Sequence, residues 1–334
     1  MLRVQIRILS AIFLVCAVAA CAQKKDNRSG YDKSARATVL QIANVYIAAD
    51  TNSQRVTTVT PGHEIVIIEN SGEWMRVFAN TDVEENSEEV PMFGAAEAVE
   101  PISGWIRSKG VVGAKTAGGD KLLFGAGNAM EDIADAPHPP KNASQAAHLL
   151  YRRVAEYFPD SPLAPDAAWR SADIRWQLEK QDISTLPSAR EQESYLRPQI
   201  LEDPMKKIIK YYPQTKWAAL AAYDLLDNKL CGDWQGLPKC PQNEADLYLK
   251  YANTYPDGPK TAEALYYAAY RLAVASNMYD VDGNAKRSAA ASTEAQQVAL
   301  QLENKYPQTD YAARAATLIY KLQQGIAIYG ADHD

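Results

Sequence analysis

The chain has 334 residues, 47% hydrophobic and 23% charged, enough apolar material for two or three packed domains. Its formal net charge is −6, and it carries no basic cluster. Phosphate neutralisation supplies most nucleic-acid affinity, so nucleic acid is set aside as a partner.

Arg3 and Arg7 open the chain, and an apolar run follows from Ile8 to Val18, interrupted only by Ser10 and Cys16. The run is too short to span a bilayer, and residues 1–20 have the layout of a secretory signal. Ala19 and Ala20 lead into Cys21. The segment Val18-Ala19-Ala20-Cys21 resembles a bacterial lipobox, which implies that Cys21 is lipidated and becomes the mature N-terminus. The competing reading is an ordinary cleaved signal in which Cys21 is incidental. Ala22 and Gln23 lack the aspartate of the inner-membrane retention signal, so the resemblance implies a lipid anchor in the outer membrane, facing the periplasm. Loss of Arg3 and Arg7 would leave 33 basic against 41 acidic side chains. Residues 21–35, rich in Lys, Asp, Ser and Gly, read as a flexible tether.

Residues 36–113 turn to short β-type runs. Thr38 to Ala43, Glu64 to Asn70, Glu73 to Ala79 and Gly104 to Ser108 carry Val, Ile, Trp and Phe in partial alternation. Thr60-Pro61-Gly62 and Asn70-Ser71-Gly72 supply turns between them. Strands at this spacing predict a small barrel or sandwich. The order Val45-Tyr46-Ile47, Val56 to Val59, Pro61-Gly62-His63-Glu64-Ile65, Gly72-Glu73-Trp74-Met75-Arg76-Val77 and Gly104-Trp105-Ile106 resembles a bacterial SH3 domain. Such domains in exported proteins bind cell-wall peptides or partner proteins. The resemblance therefore makes Tyr46, Trp74 and Trp105 the ligand-binding candidates; the competing reading places both tryptophans in the barrel core. Asn80 to Ser103 exceeds the usual hairpin and reads as a solvated acidic loop holding Asp82, Glu84, Glu85, Glu88 and Glu89. These carboxylates lack the regular spacing of a calcium loop.

Residues 114–142 hold four glycines with Pro137, Pro139 and Pro140, and no sustained period; they read as a linker with one short helical piece near Ala129 to Ile133.

Residues 143–330 turn helical. Four times an amphipathic run ends in an aromatic residue and proline (Pro159, Pro213, Pro256, Pro307), and an alanine-rich helix follows. Proline ends the first helix of each pair, and Ser161, Thr215, Thr261 and Thr309 are candidate caps for the second. Leu150, Val154 and Tyr157, or Ile208, Ile209 and Tyr212, mark apolar stripes that only stacked neighbours would cover. This half resembles tetratricopeptide repeats, especially those of periplasmic barrel-assembly and cell-division coordinator proteins. The prolines lie 54, 43 and 51 residues apart, against a repeat of about 34. Insertions are therefore expected at Gln181 to Asp203, in the segment between Cys231 and Cys240, and at Asn277 to Lys286. Seventeen of the nineteen tyrosines lie after Asn142. They serve either inter-helix packing or a concave binding surface.

With Cys16 in the signal and Cys21 carrying lipid, Cys231 and Cys240 remain, flanking eight residues with two glycines and a proline. An oxidising compartment would close them into a disulfide; two reduced, unrelated thiols are the competing reading. Chemistry finds little purchase. His63 lies in a turn, His138 in the Pro-rich linker, His148 on a helix, read as surface or groove lining, and His333 at the tail. No histidine pair has helical metal spacing, and no Gly-x-Ser-x-Gly, Walker or dinucleotide pattern occurs. The expectation is a multidomain α+β chain, an SH3-like β-barrel followed by a tetratricopeptide-like all-α domain. It would act as a non-enzymatic scaffold of the cell envelope without metal or cofactor, its membrane contact being the lipid anchor and its partners proteins or, alternatively, peptidoglycan.

Overall fold

A computed structural model of the chain describes residues 35–82 and 102–330. The signal, Cys21 and the tether up to residue 34 lie outside the described residues, as do most of the acidic loop and His333.

The first part is a seven-stranded antiparallel sheet: β1 (Arg36–Val39), β2 (Ala43–Tyr46), β3 (Arg55–Val59), β4 (Glu64–Ser71), β5 (Trp74–Ala79), β6 (Ile102–Arg107) and β7 (Val111–Gly113). The strand order is β3-β2-β6-β5-β4-β1-β7. One apolar cluster gathers Ala37 and Val39 from β1, Val45 from β2, Val59 from β3, Ile65 from β4, Val77 and Ala79 from β5 and Ile106 from β6. Six strands reach a single core, so the sheet curls around it. The apolar run 38–43 is two strands rather than one. The chain turns at Leu40, whose N–H donates to the Gly110 carbonyl and whose side chain leaves the barrel for the helices.

Nine α-helices follow among the described residues: α1 (Gly119–Ala134), α2 (Ala143–Tyr157), α3 (Ala164–Ser184), α4 (Asp203–Tyr211), α5 (Lys216–Asp224), α6 (Lys239–Thr254), α7 (Thr261–Val281), α8 (Ala285–Lys305) and α9 (Asp310–Gln323). The helix boundary at each of the four prolines has one cause and one geometry. Phe158, Tyr212, Tyr255 and Tyr306 each precede proline, which disfavours the α region there. All four adopt φ between −124° and −130° with ψ between 49° and 65°, and each still donates its N–H to the carbonyl four residues back. The caps divide. Thr215 and Thr309 accept from the N–H of Ala218 and Ala312, as expected. Ser161 instead accepts from Leu163, and Thr261, already inside its helix, donates to the Tyr255 carbonyl.

The segment expected to be a linker is largely α1, sixteen residues packed along α2. Its glycines misled the reading. Gly119 and Gly127 lie where the rings of Phe158 and Tyr151 press against the helix, and a Cβ at either position would stand under 3 Å from ring carbon. They permit close packing rather than break the helix. The insertion expected at Asn277 to Lys286 is likewise absorbed, since α7 and α8 each run 21 residues and meet at a tight turn.

Barrel and helices share one apolar cluster. Val112 and Leu40 from the barrel pack with Leu123 of α1, Leu150, Tyr151, Val154 and Tyr157 of α2, and Ala167 of α3. At its centre Arg153 of α2, 1% exposed, donates to the Gly62 carbonyl at 2.9 Å, pairs with Asp82, and lies 3.8 Å from Glu64. Tyr157 donates to the Ala37 carbonyl at 3.0 Å. Asp82 was expected in a solvated loop, and the structure corrects this: it is 3% exposed because Arg153 and His63 draw it inward. The strands and the first three helices are thus packed together.

Candidate protein-interaction faces

The barrel brings its three candidate residues together. Inward positions of β5 and β6 are Met75, Val77, Ala79 and Ile106. Side chains alternate along a strand, so Trp74, Arg76, Trp105 and Arg107 point the other way. In register, Trp74 stands opposite Arg107, Arg76 opposite Trp105, and Tyr46 opposite Trp105. Tyr46 meets Trp74 edge-on at 5.9 Å between ring centroids, and the Arg107 guanidinium lies 4.3 Å above the Trp74 ring. Neither tryptophan belongs to the barrel core. Trp74 is only 9% exposed because Tyr46 and Arg107 cover it from outside, and Trp105 is half-buried. The outer face of β2, β6 and β5 is therefore an aromatic surface with two arginines on it. Arg107 was missed in the sequence, although it follows Trp105 by two residues, the spacing that puts both on one face.

The helical half builds a second surface. Tyrosine rings contact one another from Tyr223 on α5, through Tyr248, Tyr251 and Tyr255 at α6, to Tyr266, Tyr267 and Tyr270 on α7 and Tyr311 on α9, at centroid distances of 5.2–6.3 Å. Tyr248, Tyr251 and Tyr266 are buried between helices, whereas Tyr223, Tyr255, Tyr267, Tyr270 and Tyr311 keep part of the ring in solvent. The packing reading holds for the buried members, and the others present partly exposed rings. Glu263 organises the rim. It accepts from Tyr223 at 3.0 Å and Lys260 at 2.8 Å, and it also bonds Tyr311. Burial, reinforced by Glu263, pushes the Tyr311 hydroxyl up to about 12, so it stays a donor at neutral pH. Beneath the strip the fully buried Arg271 lies 5.0 Å from the rings of Tyr248 and Tyr267 and donates to Glu244 at 2.6 Å. Apart from the strip, Trp169 of α3 and Trp217 of α5 stack at 5.4 Å between ring centroids.

Two carboxylates beside that surface were not singled out from the sequence. Burial, then the neighbouring Asp173 and Asp227, pushes Asp224 up to about 7, and its Oδ2 is buried without a hydrogen-bond partner. Burial also raises Asp173. No local motif marks them; only the stacking of α3 on α5 makes them neighbours.

Cys231 and Cys240 are joined in a disulfide. His148, read as surface or groove lining, is 5% exposed: its Nδ1–H donates to the Ser171 carbonyl at 2.7 Å, and burial lowers its pKa to about 4. The reading failed because α3 closes over a face of α2 that looks polar in one dimension. Among the described residues no group of three or more His, Cys, Asp or Glu is placed to hold a metal ion. No helix among them is long and apolar enough to cross a membrane. No family model and no curated protein matches the chain.

Proposed function

We propose that the chain is a membrane-anchored, non-enzymatic adaptor of the cell envelope, tethered through a lipid on Cys21, with an SH3-like barrel and tetratricopeptide-like repeats. In this reading the helical half holds a segment of a protein partner. The observation that carries it is the tyrosine strip, which crosses three successive helix pairs with five of its eight rings partly exposed to solvent. Tyrosine offers a large amphipathic contact at low entropic cost, which suits adaptable recognition of a peptide segment. A photo-crosslinking amino acid in place of Tyr267, in the chain anchored in its own membranes, is expected to capture a discrete protein. Crosslinking no stronger than from the exposed position of Lys286, at the start of α8, would count against the reading.

A second reading rests on the barrel. The outward Tyr46, Trp74, Trp105, Arg76 and Arg107 suit a peptide carrying carboxylates, as in peptidoglycan stems, because the rings give apolar contact and the guanidiniums give charge. Pull-down on purified sacculi, reduced by Trp105→Ala but not by Tyr267→Ala, would favour this surface.

A further inference from the structure

The two irregular stretches that break the repeat spacing lie against each other. The segment between α3 and α4 holds two short 310 turns, 187–190 and 194–196, and the segment between α5 and α6 holds the disulfide loop. Gly232 N–H donates to the Gln192 carbonyl, Asp233 N–H to the Arg190 carbonyl, and Gln192 Nε2 to the Trp234 carbonyl. Asn228 donates to the Ile200 carbonyl at 2.8 Å and accepts from its N–H at 3.0 Å. The packing is close enough that a Cβ on Gly232 would stand 2.2 Å from the Glu191 carbonyl oxygen.

Between them lies a cavity of about 450 Å3, within the roughly 300–1,000 Å3 of small-molecule pockets. Ile183, Ile200, Leu230 and Trp234 give it apolar walls, and Lys180 and Arg197 stand at its edge. The charges do not balance there. Glu244 is matched by Arg271 at 2.6 Å, and Asp227 by Lys180 at 2.8 Å. Arg197 donates to the Leu230 and Asp227 carbonyls through Nη2, but it makes no ion pair among the described residues, and its buried Nε–H has no acceptor. A buried unmet donor is costly, and the guanidinium that carries it lines the cavity. Burial pulls the Arg197 pKa down, with Glu244 and Asp227 opposing.

We propose that this cavity binds a monocarboxylate bearing a compact apolar group, its carboxylate accepting from Arg197 and its apolar part lying against Ile183, Ile200, Leu230 and Trp234. Two sources present this chemistry, a peptide C-terminus with an apolar last residue and a free fatty acid. The site is separate from the tyrosine strip, so it stands or falls independently of the adaptor reading.

Isothermal titration of the purified full chain tests it, using the peptide Ala-Ala-Leu with a free carboxylate, the same peptide amidated, and decanoate. Saturable binding is expected for at least one carboxylate, and the tighter of the two names the source. If the free peptide is the one bound, amidation should weaken it about tenfold or more; if decanoate is, decanamide should bind at least about tenfold more weakly. Ala189→Phe, which fills the cavity from the 310 turn, should abolish binding while leaving the circular dichroism spectrum unchanged. Arg197→Gln should weaken binding by a similar factor. It also loosens the Leu230 contact, so the acid–amide comparison on the unaltered protein carries the decision. Equal binding of acid and amide, no saturable binding of either carboxylate, or unchanged affinity in Ala189→Phe would overturn the proposal.

Discussion

Replacing Arg153 by Met removes the one guanidinium around which the barrel and the helices meet. Methionine keeps most of the apolar stem, so the loss is chiefly electrostatic. In the native protein Arg153 compensates Asp82 and satisfies the Gly62 carbonyl, with Glu64 and Glu156 close by. Asp82 and Glu64 are 3% and 5% exposed, so neither regains water when the cation goes. Arg36 still reaches Glu64 at 3.4 Å and His63 still stands 3.3 Å from Asp82, but neither takes the place of a guanidinium shared between the two carboxylates. Breaking a buried pair from one side costs about 3–5 kcal/mol, and that range is the expected loss. Guanidinium unfolding followed by tryptophan fluorescence and by far-ultraviolet ellipticity is the assay. The native protein should show coincident transitions and Arg153→Met an earlier transition of the barrel. Asp82→Asn placed on top should recover part of the loss, because the uncompensated charge disappears. The pH dependence has a definite sign. Burial alone would raise the Asp82 pKa, but His63 and Arg153 together hold it below the usual value of 3.8. A carboxylate depressed in the folded state stabilises above its unfolded pKa, and that stability is lost as pH falls below about 4. This acid sensitivity should shrink in Arg153→Met. A loss under about 1 kcal/mol, or no rescue by Asp82→Asn, would refute the assignment of Arg153 as the pin of the seam.

Three further outcomes follow from the geometry. Cys231→Ser with Cys240→Ser opens a loop of sequence separation 9, and chemical denaturation should show a loss of about 2–3 kcal/mol; an unchanged midpoint would mean that packing alone holds the loop. Asp224, raised to about 7, keeps its proton in the fold while the unfolded chain has lost it, so it lowers stability progressively from about pH 4 to pH 7 and fully above that. Asp224→Asn should therefore be more stable than the native chain at pH 8, by roughly 1–2 kcal/mol allowing for solvent screening, with the gain vanishing near pH 4; a gain independent of pH would refute the cause. Trp105→Ala should cost less than about 1.5 kcal/mol of unfolding free energy, since the ring is outside the core; a loss of about 3–5 kcal/mol would place it inside.

What could be read from the chain divides by range. The four aromatic–proline turns were legible because proline acts on its immediate neighbour, and all four appear with one backbone geometry. The strands from Glu64 to Ala79 were legible because alternation is a local signal. Gly119 and Gly127 hid α1, since a glycine that admits a neighbouring ring looks in one dimension like a glycine that ends a helix. Asp82 looked solvated because its acidic surroundings in sequence say nothing of Arg153, 71 residues away. The outward facing of Trp74 and Trp105 was written in the period of two; large aromatics in a tiny domain argued for burial, and Trp74 is buried, though outside the cluster the strands share. For Trp74, Arg107 supplies the physical reason: a guanidinium lying over the ring removes it from water without placing it in the shared cluster. The cavity at Arg197 was illegible because it needs two insertions to meet.

The seam can be isolated from ordinary backbone strain by comparing two glycines in the barrel. Gly62 and Gly72 both lie in turns with positive φ, 87° and 58°, so alanine at either position incurs a left-handed penalty of about 1–2 kcal/mol. They differ in surroundings. Around Gly72 there is nothing within 4 Å of an added Cβ, whereas at Gly62 it would stand 2.5 Å from the Leu149 Cβ and 2.9 Å from the Leu150 nitrogen. Both neighbours sit on α2, which the Arg153 bond holds against this turn and the Tyr157 bond holds against β1. Helix backbone cannot yield as a flexible side chain would, so the barrel must back away from α2, weakening those bonds with it. Gly62→Ala should therefore exceed Gly72→Ala by at least about 2 kcal/mol in denaturant unfolding, the cost of an overpacked interior contact. In the Arg153→Met background the excess should fall, because the helix is no longer drawn against the turn. Equal costs for the two glycines would mean that the turn and α2 are not in tight contact in solution, and the strands would then be free to move against the helices.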